Sequence, residues 1–227
     1  MKVKRIIFLE SQTNNFFYFK KMELYGIGEK EKDKILSLLS SKKLSEKQIR
    51  EELKNPEIFK ELKTDTQVDL LYEPLRKIPR KVIDRINLLL IRSKLEFTIA
   101  GSYRRGKSYS GDIDIVSPHS FKDFAETDLV LLRPFACGDD ITRTLCYVCG
   151  HYVKIDFFTC AVEDYAAYIL YATGSKEFNI AMRIKAKKMG FLLNQKGLWR
   201  GDKKIPVKSE REFFEILEIE YVEPYDR

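Results

Sequence analysis

The 227-residue sequence predicts an α/β fold of the α+β kind, with a mixed β-sheet set between two helical segments. Three observations predict it. Residues 16–66 are charged and carry helix signals without strand-like alternation. The middle of the chain holds short apolar runs of strand length, among them DIDIV (112–116) and YVKIDFF (152–158). From Glu163 helical patterning returns, broken once by a glycine-containing hairpin segment.

In the first segment, ELYGIGEKEKDKILSLL places Gly26-Ile27-Gly28 ahead of a helical run, and LSEKQIREEL opens on Ser45 with Gln48 three places on, a capping-box start. GIG reads either as a turn between helices, because glycine permits positive φ, or as a hairpin whose backbone N–H groups grip a phosphate. IPRKVIDRINLLLIRSKLE, from Ile78, is an amphipathic helix with Pro79 in its first turn and Val82, Ile83, Ile86, Leu89 and Leu90 on one face. LEFTIAGS is a strand entering a Gly-Ser turn at Ser102, and LVLLRPF and TRTLCYVCG supply further strands. EDYAAYILYA is helical. SKEFNIAMRIKAKKMG follows with Ser175 as cap and Gly190 as terminator. FLLNQKGLWRGDKKIPV is a short β-hairpin, and SEREFFEIL closes on a helix with Ser209 and Glu212 as a capping box.

With 44% apolar residues the chain can bury a core of one or two small domains. The excess of 41 Lys+Arg over 34 Asp+Glu, a net charge of +7, favours acidic partners such as nucleic acid but also suits a basic soluble protein without one. Apolar runs such as Leu88–Ile91 are too short to cross a bilayer, and Ile6–Leu9 is too short for a secretory signal. The expectation is an intracellular protein with no membrane partner. Cys146, Cys149 and His151 in CYVCGH have the spacing of a zinc knuckle, which only Cys137 or Cys160 could complete; the alternative is cysteines in buried strands of an intracellular protein.

Asp112 and Asp114 are i and i+2 on a strand, so both side chains point to one face. Paired carboxylates repel unless hard divalent cations sit between them, and Mg²⁺ takes such oxygens alongside substrate phosphates. A solvated polar strand face is the other reading of D-x-D alone. Asp156 in VKIDFF shifts the balance, because a carboxylate in an apolar strand is costly without a partner; Lys154, two residues earlier, can orient it. Three aspartates on neighbouring strands can hold two metal ions, one lowering the pKa of an attacking hydroxyl and one neutralising a triphosphate. Gly101 and Ser102 add close backbone approach, a hydroxyl and a following helix with free N–H groups, and Arg105 falls in the first turn of that helix with a fork for phosphate oxygens.

GSYRRG…SGDIDIV resembles the nucleotidyltransferase signature of the family X DNA polymerases, the group of DNA polymerase beta. VKIDFF is similar to that family's third-aspartate strand, YATGSKEFNIAMR to its Tyr-Phe-Thr-Gly-Ser segment and following helix, KIPR (77–80) to its phosphate-contacting Arg-Ile-Pro-Arg, and EPYDR to its usual ending. The resemblance covers roughly residues 23–227 and turns GIG into the family's primer-side helix–hairpin–helix. It implies an N-terminal extension (1–22), a helix–hairpin–helix DNA-binding subdomain (23–76), a catalytic nucleotidyltransferase palm (77–162) and a C-terminal nucleotide- and template-binding subdomain (163–227).

The resemblance also implies roles. Asp112, Asp114 and Asp156 would bind two Mg²⁺, or Mn²⁺ in their place, with Asp156 accepting the primer 3′-hydroxyl proton. Lys77, Gly101, Ser102, Arg105, Gly111 and Gly174 would hold the nucleotide, with Tyr171 by its sugar and Asn179 at the minor-groove edge of its base. Gly26, Gly28, Lys154 and Arg183 would contact DNA, Arg183 at the templating nucleotide; Ser175, Asn179 and Arg183 at i, i+4 and i+8 do share a helical face. The partners implied are gapped or primed duplex DNA and deoxynucleoside triphosphates, the protein a monomer, and its location the nucleus or a viral replication site.

Five departures stand out. Lys77 replaces an arginine and loses the fork. Ala172 replaces a phenylalanine beside Tyr171, which bears on ribonucleotide discrimination, and Lys176 stands near the incoming base. Only residues 1–22 precede the GIG segment, so the family's N-terminal lyase domain is expected to be missing, and the short Asp114–Asp156 interval predicts a trimmed palm, as in viral repair polymerases of the family. The function implied is templated primer extension, filling short gaps in DNA repair. Its rivals are a template-independent nucleotidyltransferase and a non-catalytic DNA-binding protein of the same fold.

Overall fold

A computed structural model describes residues 48, 51–55, 58, 62–72, 74–132 and 134–227. The GIG segment with Gly26 and Gly28, and the start of the Ser45–Gln48 capping box, lie outside the described residues. The chain divides into two compact units, 1–73 and 74–227. In the first, helix α1 (Thr64–Tyr72) buries Val68.

The second unit opens on β1 (Ile78–Pro79), which pairs antiparallel with β3 (Tyr109–Ser110). Pro79 is therefore the N-cap of helix α2 (Arg80–Arg92) and not part of its first turn: extended, with ψ of 142°, it closes a strand before the helix starts. Val82, Ile83, Ile86 and Leu90 recur at helical spacing and are buried, and Leu89 is half-buried.

The central sheet runs β2 (Thr98–Ile99), β4 (Ile113–Ser117), β8 (His151–Thr159), β7 (Ile141–Val148), β5 (Val130–Leu131), with β6 (Ala136–Cys137) also on β7. Only β4 and β8 are parallel, so the sheet is mixed. The strands expected in LEFTIAGS and LVLLRPF are two residues each, β2 and β5, at the two edges of the sheet. The β7–β8 connection is a two-residue turn with Cys149 at φ 51° and Gly150 at φ 80°, both left-handed as such a tight hairpin requires. A short helix, α4 (Phe121–Ala125), was not anticipated, although Ser120 and Asp123 spell a capping box that the structure forms.

Alternation along the strands splits the sheet into two faces. Ile113, Ile115, Val153, Ile155 and Phe157 join α2 in the main core. On the other face Val116 and Phe158 pack with Ala100, Cys160 and Tyr168 of helix α5 (Tyr165–Thr173). That second core covers one end of the face and leaves the other to polar groups.

A third cluster holds the C-terminal part together: Leu170 of α5, Met182 and Ala186 of helix α6 (Lys176–Lys188), Leu198, and Phe213 and Phe214 of helix α7 (Glu210–Ile216). Ser175 caps α6, accepting from the Phe178 N–H at 3.3 Å. In place of the expected hairpin there are three antiparallel strands, β9 (Leu192–Asn194), β10 (Gly197–Arg200) and β11 (Lys203–Ile205), because Gln195-Lys196 and Gly201-Asp202 each make a two-residue turn.

Candidate active site

Strand β4 sets two of the carboxylates. Asp114 lies inside it and partly buried; Asp112 lies just before it and exposed. Parallel pairing places Asp114 opposite Asp156 on β8, and antiparallel pairing places Asp156 opposite Arg143 on β7. Arg143, Asp156 and Asp114 thus form one cross-strand row on the polar end of the face. Arg143 Nε donates to Asp156 Oδ2 at 3.1 Å. Lys154 shares that face and is half-buried.

Asp114 is pushed up to about 7, first by burial and then by the negative charges of Asp112 and Asp156, with the Arg105 guanidinium pulling the other way. The three carboxylates therefore lie within electrostatic reach of one another. Among the described residues no three metal-ligating side chains stand close enough to hold an ion as placed. Arg143 takes an oxygen of Asp156. By donor type and strand placement the set suits a hard divalent ion.

Gly101 stands over this row. Its φ is +58°, and a Cβ built there would overlap Asp114 Oδ2, so the backbone approaches the carboxylate as only glycine allows. Ser102 Oγ donates to Ser110 Oγ at 2.8 Å, and Ser110 is buried. Ser110, in the run YSGD, has no signal in the sequence, because a serine beside a tight turn has no periodicity. Gly111 is exposed, and a side chain there would meet nothing within 4 Å.

Arg105, expected in the first turn of a helix after the Gly-Ser turn, is instead the C-cap of the four-residue helix α3 (Gly101–Arg104), which Gly106 at φ 75° brings to an end. Its Nη1 donates to the Thr173 carbonyl at 2.5 Å and lies against Gly174, so it joins the Gly-Ser turn to the TGS segment; its Nε is buried with no hydrogen-bond partner among the described residues. Arg104 reaches the same segment through Thr173 Oγ1 at 2.7 Å, and pairs with Glu210 at 2.8 Å.

Asn179 and Arg183 do share a face of α6, and both turn to Tyr171. Asn179 Nδ2 donates to the Tyr171 carbonyl at 2.8 Å, and the Arg183 guanidinium lies 5.8 Å from the Tyr171 ring centre. Phe158 meets that ring edge-on at 6.4 Å. Tyr171, Asn179 and Arg183 line a small hollow together with Leu193 and Asn194. Lys77 is exposed just ahead of β1.

Among the described residues the cysteines and His151 form no group of three able to hold a metal. Cys146 is buried in the main core, which pushes its thiol up to about 12, while Cys149 and His151 sit exposed at the hairpin turn. No helix among the described residues is long and apolar enough to cross a membrane.

Comparison with known proteins matches two family models, DNA polymerase beta palm over residues 74–136 and DNA polymerase beta thumb over residues 168–227. The first spans Gly101 to Asp114, the second Tyr171 to Arg227. The chain is 40% identical over 79 residues to DNA polymerase IV of Saccharomyces cerevisiae, covering 34% of this chain and 14% of that protein. It is 27% identical over 192 residues to DNA polymerase lambda of Arabidopsis thaliana, covering 66% and 36% respectively. Against DNA polymerase lambda of Rattus norvegicus it is 28% identical over 158 residues, covering 56% and 28%. The chain thus spans between about a seventh and about a third of the length of these relatives. The palm match over the Gly-Ser turn and the Asp112–Asp114 segment, together with the thumb match over the C-terminal segment, places the chain in the family X DNA polymerases.

Proposed function

We propose that this chain is a DNA-directed DNA polymerase that adds deoxynucleotides to a primer 3′-end and fills short gaps in DNA repair, at a nuclear or viral replication site inside the cell. The pairing of Asp114 with Asp156 beneath the Gly101 turn carries the reading, since acidic oxygens beside a glycine turn suit the binding of a triphosphate and a primer end.

In this reading Asp112, Asp114 and Asp156 hold two Mg²⁺ ions, or Mn²⁺. Bound there, the ions lower the pKa of the attacking hydroxyl and neutralise charge on the triphosphate. Asp156 accepts the primer 3′-hydroxyl proton. Ser102, Arg105, Lys77 and the backbone at Gly101, Gly111 and Gly174 hold the phosphates; a Ser102–Ser110 hydroxyl pair and a guanidinium across the turn support this placement. Tyr171 lies by the sugar, Asn179 leaves the Tyr171 carbonyl for the base edge, and Arg183 leaves the Tyr171 ring for the template. Gly26, Gly28 and Lys154 contact DNA. The protein acts as a monomer on gapped or primed duplex.

Single-nucleotide insertion opposite each template base on a one-nucleotide gap tests the proposal. Base-directed insertion on the gap, with little addition to a single strand, is expected. Equal, undirected addition to both substrates would make the chain a template-independent transferase. DNA binding without extension in Mg²⁺ or Mn²⁺ would make it a non-catalytic relative.

A further inference from the structure

Asp156 is the carboxylate to which the polymerase reading gives the hydroxyl proton, and its orientation decides whether that transfer is possible. The sequence offers Lys154 on the same strand to orient it. The structure adds a second cation from a different strand. Arg143 is the antiparallel register partner of Asp156, so the two side chains leave the sheet on the same face at the same level. Contact runs through Nε, the atom nearest the stem of the guanidinium, at 3.1 Å from Oδ2. A side-on contact of this kind depends on the guanidinium's shape as well as its charge. Arg143 is 43% exposed and Asp156 16%, so the pair lies at the lip of the carboxylate row and can be reached from solvent. The pair's own geometry also sets it apart from the other arginines of the site: Arg105 is committed to the Thr173 carbonyl and Arg104 to Glu210.

We propose that Arg143 is a positioning residue for Asp156, fixing the rotation of its carboxylate for the primer hydroxyl and competing with divalent cations for Oδ2. The inference rests on the polymerase reading, and two consequences separate it from mere support of the fold. Losing the guanidinium removes the contact that fixes Oδ2 of Asp156, so the carboxylate is held less well for the hydroxyl and the chemical step slows while nucleotide binding is kept. The same loss removes a competing positive charge, so a divalent ion binds the carboxylate row more tightly.

The test compares wild type, Arg143→Ala and Arg143→Lys. Single-turnover insertion on a one-nucleotide gap at saturating nucleotide and Mn²⁺ gives the rate of the chemical step; Mn²⁺ binding to the protein without DNA or nucleotide, read by electron paramagnetic resonance, gives metal affinity without turnover. For Arg143→Ala the rate is expected to fall about tenfold to a hundredfold, with the apparent nucleotide affinity unchanged. Mn²⁺ affinity is expected to rise by about fivefold. Arg143→Lys, which keeps the charge but not the fork, is expected to fall between the two in both readouts. An Arg143→Ala protein that inserts as fast as wild type would overturn the proposal alone, as would one that loses metal and nucleotide affinity together. A wild type that binds Mn²⁺ but extends no primer would overturn the polymerase reading and this proposal with it.

Discussion

Gly101 and Asp114 are in such close approach that a methyl group on the Gly101 Cα would overlap the carboxylate oxygen Oδ2. The contact is between a backbone turn at φ +58° and a side chain of the strand beneath it, so neither can shift without the other. Gly101→Ala combines left-handed strain with that overlap, and is expected to cost about 1–3 kcal/mol of stability and most of the extension activity. Chemical denaturation and gap-filling assays check the two effects.

Asp114 makes metal-free stability depend on pH. Its folded value, raised to about 7 from an ordinary 3.8 by burial and by Asp112 and Asp156, means that the folded state keeps a proton the unfolded chain has lost. Stability therefore falls as pH rises through the window from about 4 to about 7. Asp114→Asn removes the effect: with metal chelated, it is expected to be more stable than wild type by about 1–3 kcal/mol at pH 8, with the advantage shrinking towards pH 4. Thermal melts across that range decide it, and equal slopes in both proteins would overturn it.

Arg227 is an anchor. Its side chain is fully buried, donates to Glu210 at 2.5 Å and lies over the rings of Phe178, Phe214 and Tyr221, with centroids 4.9, 5.2 and 5.4 Å away. Burial pushes Glu210 up, but the hydrogen bonds and charges of Arg104 and Arg227 outweigh it and hold the carboxyl below its usual range. A depressed carboxyl stabilises the fold above its unfolded value and loses that contribution as pH falls through the folded one. Glu210→Ala leaves Arg227 buried without its counter-charge and is expected to cost about 3–5 kcal/mol, with a weaker dependence on acid than wild type. Urea unfolding at pH 7 and pH 4 measures both.

In the polymerase reading, Ala172 would stand near the incoming sugar. It packs partly buried against the cluster of Ala100, Val116, Phe158 and Tyr168, next to Tyr171. A small side chain at this point offers little bulk against a 2′-hydroxyl, and steric discrimination without a matched polar group is modest. Ribonucleotide insertion is expected within about a hundredfold of deoxynucleotide insertion on the same gap. Paired measurements of kcat/KM for the two sugars test it, and a preference of several thousandfold would rule it out.

Much of the site could be read along the chain. The Asp112–Asp114 spacing, the Ser175 cap and the 80–92 amphipathic stretch are local patterns, and each is governed by residues a few positions away. The Arg105 placement failed for an equally local reason: a helix after a Gly-Ser turn is plausible by pattern, but a second left-handed glycine at Gly106 stops it after one turn.

The sequence by itself determined which residue types are present and which face of its own element each side chain takes, because period and capping depend on near neighbours in the chain. Only the tertiary structure decided who stands opposite whom: Asp114 beside Asp156, Arg143 across from it, Arg105 on the Thr173 carbonyl, Arg104 and Arg227 sharing Glu210. Strand register and buried ion pairs are fixed by packing between segments far apart in sequence, and no local propensity encodes those distances.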